Sequence, residues 1–281
     1  MPKAYVLLAK PGIVMGNAIT AIAGFALASK GQFNWGLFLA TLAGLSLVIG
    51  SACIFNNYID RNIDLKMERT KARALAVGAI SVERALFFAV CLLLSGIAVL
   101  TAATNPLSVL IALFGFFSYV LLYSFSKYRT IHGTLIGSLS GSVPPVVGYV
   151  AVSGQLDLTA LTFFTMMVLW QMPHFFAIAI YRLKDYESAG IPVLPVKKGV
   201  HATKIQMMLY IIGFIAVSVL LSWVGEMGIL YLLTAIALGL GWLWFSIIGF
   251  QSGNDRQWAR KMFVASLVVI VGLSAAIFFS T

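Results

Sequence analysis

Apolar residues run for roughly 20 positions at a time, nine times over, and polar residues are confined to the gaps between runs. The runs lie at 12–29, 35–55, 84–103, 106–124, 133–152, 158–180, 204–222, 227–249 and 262–280. A hydrocarbon core about 30 Å thick is crossed by about 20 helical residues. Each run therefore predicts one membrane-spanning helix. Together the runs occupy about two thirds of the 281 residues. That leaves no stretch for a separate water-soluble domain, and all of 1–281 reads as a single transmembrane domain. The predicted fold is an all-α polytopic membrane protein, with nine transmembrane helices around a central cavity opening to the cytoplasmic side.

Composition agrees. The chain is 60% hydrophobic and 10% charged, whereas soluble domains run near half apolar and a quarter charged. An ordinary cytosolic enzyme, a disordered chain and a disulfide-stapled secreted module are excluded. Cys53 and Cys91 fall inside apolar runs and read as buried, inert thiols. The opening MPKAYVLLAKPG lacks the n-region, h-region and cleavage site of a signal peptide, so the first span is expected to be retained.

Charge sets the expected orientation. With the N-terminus inside, 18 of the 19 Lys and Arg residues fall in cytoplasmic segments and only Lys30 falls outside. Such a bias is the positive-inside pattern, so the net charge of +10 points to membrane lipid and not to nucleic acid. Nine spans then put the C-terminus outside. A bacterial-type plasma (inner) membrane is the expected location.

Two inside loops are long, 56–83 and 181–203, and hold six of the nine acids. Loops of this length tend to be functional. Each follows the second span of a four-span block. Asp64 precedes Gly78 by 14 residues, as Asp185 precedes Gly199. A parallel four-helix repeat would set the two acidic loops side by side.

The first loop opens with Asn56, Asp60 and Asp64 at i, i+4 and i+8. On an α-helix these stack along one face. The second span is therefore expected to run past the membrane surface with an oxygen-rich stripe facing a hydrated cavity. Hard divalent cations take oxygen ligands, and Mg²⁺ typically uses one or two carboxylates plus substrate phosphates. Cations follow at once, including Lys66, Arg69, Lys71 and Arg73. Carboxylates beside Lys and Arg suit a metal-bound diphosphate, the cations meeting the remaining oxygens. The competing reading is a solvated loop of i,i+4 salt pairs. In the second loop Asp185 is a candidate second metal ligand, and Lys184 and Arg182 are candidate phosphate partners. Between spans four and five lie Tyr123, Lys127, Arg129 and His132. Polar residues inside spans are costly and mark function by default, which singles out Asn17, Gln171 and His174. Pro173 is expected to kink span six, and Ser142-Val143-Pro144-Pro145 to break span five.

Lys10-Pro11-Gly12, Asn17, Asn56-x3-Asp60-x3-Asp64 and Met67-x-Arg69-Thr70-x2-Arg73 resemble the UbiA superfamily of intramembrane prenyltransferases. Three further stretches, His132 to Gly141, Trp170 to Phe175, and Asp185-Tyr186 running to Ile191–Val196, resemble its protohaem-farnesylating branch. The resemblance implies farnesyl diphosphate and haem b as substrates, haem O as product, and Mg²⁺ bound with the diphosphate. Asn56, Asp60 and Asp64 match the first Asp-rich motif, and Asp185 the start of the second. The superfamily often shows Asp-x3-Asp there. Ala189 stands at the fourth place here, and Glu187 is the available substitute. On this reading Asp60, Asp64, Arg69, Arg73, Lys127 and Arg129 serve catalysis, with metal on Asn56, Asp60, Asp64 and Asp185. Asn17, Asn56, Gln171, His174, Lys184 and Asp185 bind substrate, with His174 contacting haem as iron ligand or propionate partner.

Loss of diphosphate from an allylic carbon leaves a cation, and Mg²⁺, Arg and Lys stabilise the charge that develops on the leaving group. Attack by a haem vinyl group leaves a positive carbon beside the porphyrin, which water captures as a hydroxyl. Two other readings compete. One is a UbiA-type enzyme acting on a quinone precursor or chlorophyllide. The other is an anion transporter, whose broken helices and midplane polar residues fit less well, because the acids here cluster at one membrane surface.

Overall fold

The computed structural model describes residues 2–280, whose regular secondary structure is all helical, with no strand among them. Among the described residues nine helices are long and apolar enough to cross a membrane. They are α1 (Pro11–Ser29), α2 (Trp35–Asp64), α3 (Val82–Ala103), α4 (Pro106–Ser126), α5 (Gly133–Ser153), α6 (Leu158–Tyr181), α7 (Leu194–Val224), α8 (Ile229–Gln251) and α9 (Asp255–Ser280). Large apolar side chains such as Phe87, Leu94, Leu110, Trp223, Trp244 and Phe279 are left exposed on their outer faces. Helices of this length and apolarity mark an integral membrane protein.

Local signals explain the boundaries. Asn34, Ser81, Asn105 and Asp157 each cap a helix, their side-chain oxygens accepting from the backbone N–H of Leu37, Arg84, Ser108 and Ala160. Such caps satisfy donors that the first turn leaves orphaned. α5 is broken between Gly141 and Val143, ahead of Pro144 and Pro145. Proline lacks the N–H that would continue the ladder. α6 carries Pro173 in its interior and remains continuous from Leu158 to Tyr181, so the expected kink does not interrupt it. Near its end α4 passes through a π-helical turn, Ser118–Tyr123, before closing at Ser124–Ser126, a form often found at functional sites.

Two differences from the sequence expectation concern the charged segments. Pro2–Leu8 is a short helix. Much of 181–203, expected as loop, is also helical: Leu183–Ser188 forms a short helix and α7 begins at Leu194, interrupted at Gly199. Charge shortened the apolar run without removing helix propensity, because Lys, Glu and Leu are all good helix formers.

Neighbour relations recur with a four-helix period. α2 packs on α3, α3 on α4, α4 on α5 and α2 on α5; α6, α7, α8 and α9 repeat this arrangement. Gly78 and Gly199, equally spaced after Asp64 and Asp185, both have left-handed backbone, with φ of 71° and 81°. α1 lies along α5 and also touches α9. Glycine permits its close approach: a Cβ on Gly24 would stand 1.9 Å from the Pro145 carbonyl oxygen, and one on Gly148 2.2 Å from that of Ala21. Small residues let membrane helices approach in this way.

The links after α2 and α6 meet on one face. The Ser188 hydroxyl donates to the Lys66 carbonyl at 3.0 Å. Met67, Ala189 and Ile191 are buried together there, with Ile63, Tyr128, Tyr186 and Val193 packed around them.

Candidate functional site

α2 has 30 residues, about 45 Å at 1.5 Å per residue. It overshoots a 30 Å core by roughly 15 Å, so its final turns carry Asn56, Asp60 and Asp64 to the polar edge. The three side chains share one face, as their spacing requires, but they do not face open water. They are only 2%, 8% and 1% exposed. Burying polar and charged groups requires partners, and three different segments supply them to the three side chains.

Lys127, just beyond α4, places its Nζ 2.6 Å from both Asp60 oxygens, and the Tyr128 hydroxyl donates to Asp60 at 2.5 Å. Arg73, in the link after α2, donates from one nitrogen to both Asp64 oxygens at 2.9 Å. Lys10, immediately before α1, donates from Nζ to the Asn56 Oδ1 at 2.7 Å. The Asn56 amide donates in turn to the Ser124 hydroxyl at 3.2 Å, and the Tyr119 hydroxyl donates to Asn56 Oδ1 at 3.4 Å. The Thr70 hydroxyl donates to the Asp64 carbonyl at 3.0 Å, tying the link back to the helix end.

These pairings perturb the partners outside the spans. Burial lowers the Lys127 pKa, and the Asp60 charge opposes that shift. Burial raises the Tyr128 phenol, and the Asp60 carboxylate raises it further, so Tyr128 is a hydrogen-bond donor at neutral pH. Burial pulls the Lys10 ammonium down to about 8, with Arg73 and Lys127 repelling it and Asp60 opposing. Three cations thus converge on two carboxylates and an amide. The cluster holds more positive than negative charge, an environment that accepts an anion.

Other predicted residues lie apart from the stripe. Asp185 reaches Arg182 only at 3.9 Å, and its Oδ2 is buried without a hydrogen-bond partner. It lines an open cleft of about 380 Å³ between the two links, with Lys66, Glu68, Lys71, Lys184 and Ser188. Arg69 and Arg129 are exposed and make no ion pair among the described residues. Arg69 lies close enough to Tyr186 to oppose the rise that burial imposes on that phenol. Asn17 is partly buried and donates to the Ile13 carbonyl at 2.8 Å. Gln171 braces the break in α5, its Nε2 donating to the Ser142 hydroxyl at 2.8 Å and the Ser138 carbonyl at 3.3 Å.

His174 sits between α6 and α9, 4.9 Å from the ring centres of both Trp170 and Phe263. Its Nδ1 is 2.7 Å from the Ser266 hydroxyl. The Ser266 hydroxyl also lies 2.6 Å from the Phe263 carbonyl, so His174, Ser266 and Phe263 are linked in one hydrogen-bonded chain. Fixing one ring nitrogen by hydrogen bonding is how proteins orient a metal-ligating histidine.

No three His, Cys, Asp or Glu side chains converge on a metal cage among the described residues. The stripe offers two carboxylates and an amide on one face, the hard-oxygen chemistry that suits Mg²⁺ shared with a phosphate.

A profile of the UbiA prenyltransferase family matches residues 17–267. The chain belongs to the UbiA prenyltransferase family. Curated relatives named protoheme IX farnesyltransferase are similar over nearly full length. That of Protochlamydia amoebophila (strain UWE25) is 54% identical over 273 residues, covering 97% of this chain and 96% of the relative. That of Sodalis glossinidius (strain morsitans) is 51% identical over 276 residues, covering 98% and 93%. Among solved structures, one of a digeranylgeranylglyceryl phosphate synthase superposes with a TM-score of 0.81 at 19% identity, covering 99% of this chain and 97% of that one. A UbiA homologue from Archaeoglobus fulgidus bound to GPP and Mg²⁺ gives a TM-score of 0.73 at 15% identity, covering 98% and 99%. The nine-helix UbiA architecture is therefore shared.

Sequence reasoning about this UbiA family member did not reach Lys10 or Tyr128 as stripe partners. Their signals were present: Lys10 precedes a helix-starting proline, and Tyr128 follows Lys127. Neither signal names a partner 46 or 68 residues away.

Proposed function

We propose that this chain transfers the farnesyl group of farnesyl diphosphate to a vinyl group of haem b, with addition of water, giving haem O and diphosphate. The observation that carries the donor half is the buried stripe with a separate cation on each member. The acceptor half rests on near-full-length likeness to protoheme IX farnesyltransferases.

Asn56, Asp60 and Asp64 would hold Mg²⁺, with Asp185 on the neighbouring link as a further ligand. The ion supplies Lewis-acid charge on the leaving diphosphate. Lys127 and Arg73 start as counter-ions of the carboxylates. They turn to the phosphate oxygens as those oxygens gain charge, which is where electrostatic stabilisation acts. Tyr128 orients Asp60 by donating to it. Arg69, Arg129 and Lys184 add positive potential around the entrance. The allylic carbon–oxygen bond breaks with its electron pair leaving on the diphosphate. The haem vinyl group supplies the pair for the new carbon–carbon bond, and water adds to the resulting cation and loses a proton. Apolar helix walls hold the farnesyl chain and exclude stray water. His174 presents Nε2 to haem, with Asn17 and Gln171 shaping the bundle around the substrates.

All of 1–281 acts as one prenyltransferase domain in a bacterial-type inner membrane. Its N-terminus is cytoplasmic, its C-terminus is outside, and its site opens to the cytoplasm. The test is purified protein given haem b, farnesyl diphosphate and Mg²⁺, read by mass for hydroxyethylfarnesyl haem. Prenylation of a quinone precursor in place of haem would overturn the acceptor assignment and keep the donor chemistry. Anion uptake into proteoliposomes without covalent product would overturn both.

A further inference from the structure

We propose that Lys10 is a third cation binding the diphosphate of the prenyl donor, delivered to the site by α1. The inference rests on the prenyl-transfer reading above and adds a residue outside both acidic loops. Three observations carry it.

First, Lys10 is the odd member of the cluster. Lys127 and Arg73 each meet a carboxylate. Lys10 makes no ion pair among the described residues, and its ammonium meets only the neutral Asn56 oxygen, at 2.7 Å. An ammonium has three protons to donate. One is used here, and a partly buried cation without an anion lacks the partner that would offset its desolvation.

Second, its backbone is held in an unusual conformation. Lys10 has φ 52° and ψ 69°, left-handed geometry in a residue other than glycine. Bulky side chains seldom occupy that region, and such strain persists where surrounding structure enforces it. The carbonyl of Lys10 starts the α1 ladder, accepting from Ile13 at 2.8 Å. The Leu8 carbonyl just before it is fixed by the Asn57 amide at 2.9 Å. Chain entry into α1 is thereby pinned to α2 one residue from the stripe. A lysine serving only to reach solvent would need none of this.

Third, the acceptor it holds is shared. Asn56 Oδ1 already receives the Tyr119 hydroxyl at 3.4 Å. Withdrawal of Lys10 toward an arriving phosphate would leave that oxygen partnered and free it for a metal. The stripe member whose cation is least committed is therefore the one most readily opened.

The test compares wild type, Lys10→Met and Lys10→Arg. Binding of inorganic pyrophosphate with Mg²⁺ is measured by calorimetry, haem b binding by optical titration, and KM for farnesyl diphosphate by product mass. Lys10→Met is expected to weaken pyrophosphate binding at least about tenfold, as loss of a charge-assisted contact does. It should raise the KM for farnesyl diphosphate and leave haem affinity unchanged, and Lys10→Arg should recover most of the loss. Unchanged pyrophosphate affinity in Lys10→Met would overturn the proposal. So would equal losses of pyrophosphate binding, haem binding and thermal stability, which would make Lys10 a brace for Asn56. Wild-type protein that neither binds pyrophosphate nor farnesylates haem would instead remove the reading on which the proposal rests.

Discussion

Asp64→Asn separates charge from shape at the end of the stripe. Asp64 is 1% exposed, and both oxygens take the proton donation of Arg73. The amide keeps the volume and one acceptor oxygen but removes the anion. Two effects follow, with different sizes. In the resting protein Arg73 loses its counter-ion. Breaking a fully buried pair costs ~3–5 kcal/mol, and Arg73 is 28% exposed on its side chain. Solvent therefore softens the loss to about 1–2 kcal/mol. Sequence alone leads to a carboxylate facing a hydrated cavity; with Asp64 buried against Arg73, a moderate destabilisation is expected instead. In catalysis, on the proposed function, the lost anion would no longer bind Mg²⁺. Preorganised electrostatic contacts of this kind are worth ~3–4 kcal/mol, or 10²–10³ in rate. Product mass from haem b, farnesyl diphosphate and Mg²⁺ gives the rate, and thermal unfolding in detergent gives the stability. Arg73→Met is the partner variant. In the double variant the stability losses should not add, because one interaction is removed twice. Full activity in Asp64→Asn, or activity unaffected by a chelator, would refute the reasoning.

Reporter fusions after Ser153 and after Tyr181 should report opposite sides of the membrane, since one α-helix, α6, separates them; the same side for both would sink the topology. Gly24→Val should cost about 1–3 kcal/mol in thermal unfolding, because overpacking displaces the helix backbone and a Cβ there meets the Pro145 carbonyl at 1.9 Å. Gly16→Ala is its control, with nothing within 4 Å of the added carbon, and equal losses in the two would contradict the close α1–α5 contact. His174→Ala should weaken haem binding about tenfold and change its optical spectrum while sparing pyrophosphate binding, as loss of one oriented ligand does. An unchanged spectrum would return His174 to its packing role against Trp170 and Phe263.

Much of the fold was legible because its determinants are local. Nine apolar runs need only length to predict nine helices, and the Ser142–Pro145 break needs only proline. The i, i+4, i+8 spacing placed Asn56, Asp60 and Asp64 on one face for the same reason. What the spacing could not give was their surroundings. Lys10, Lys127 and Arg73 reach the stripe from 46, 67 and 9 residues away, and only packing decides which cation meets which oxygen. Gln171 shows a second limit. A polar residue inside a span marks either a ligand or a brace, and here the amide is spent on Ser142 and Ser138. The helical character of Leu183–Ser188 and of the start of α7 escaped because charge ended the apolar run before it ended the helix.

The chain divides most of its candidate chemistry along its fold. Among the described residues, the side-chain hydrogen-bond partners of the stripe all lie between Lys10, just before α1, and Tyr128, just after α4. His174, with Trp170, Phe263 and Ser266, lies on α6 and α9. The two sets share no hydrogen-bond partner. The four-helix period explains how one chain provides both. Equivalent packing in α2–α5 and α6–α9 creates two similar frames, and the side chains at their inner ends differ. On the proposed function, one frame presents the stripe carboxylates and their cations toward a metal and a diphosphate, and Asp185 joins them from the link after α6. The other presents an oriented imidazole among aromatic rings, which suits a flat, iron-bearing, apolar acceptor. α1 packs against both α5 and α9, so it is the element that fixes one frame against the other. On the proposed function, its glycine-tight seat at Gly24 would align donor with acceptor as well as stabilise the bundle. Misplacement by an ångström between reacting groups can cost a hundredfold in rate.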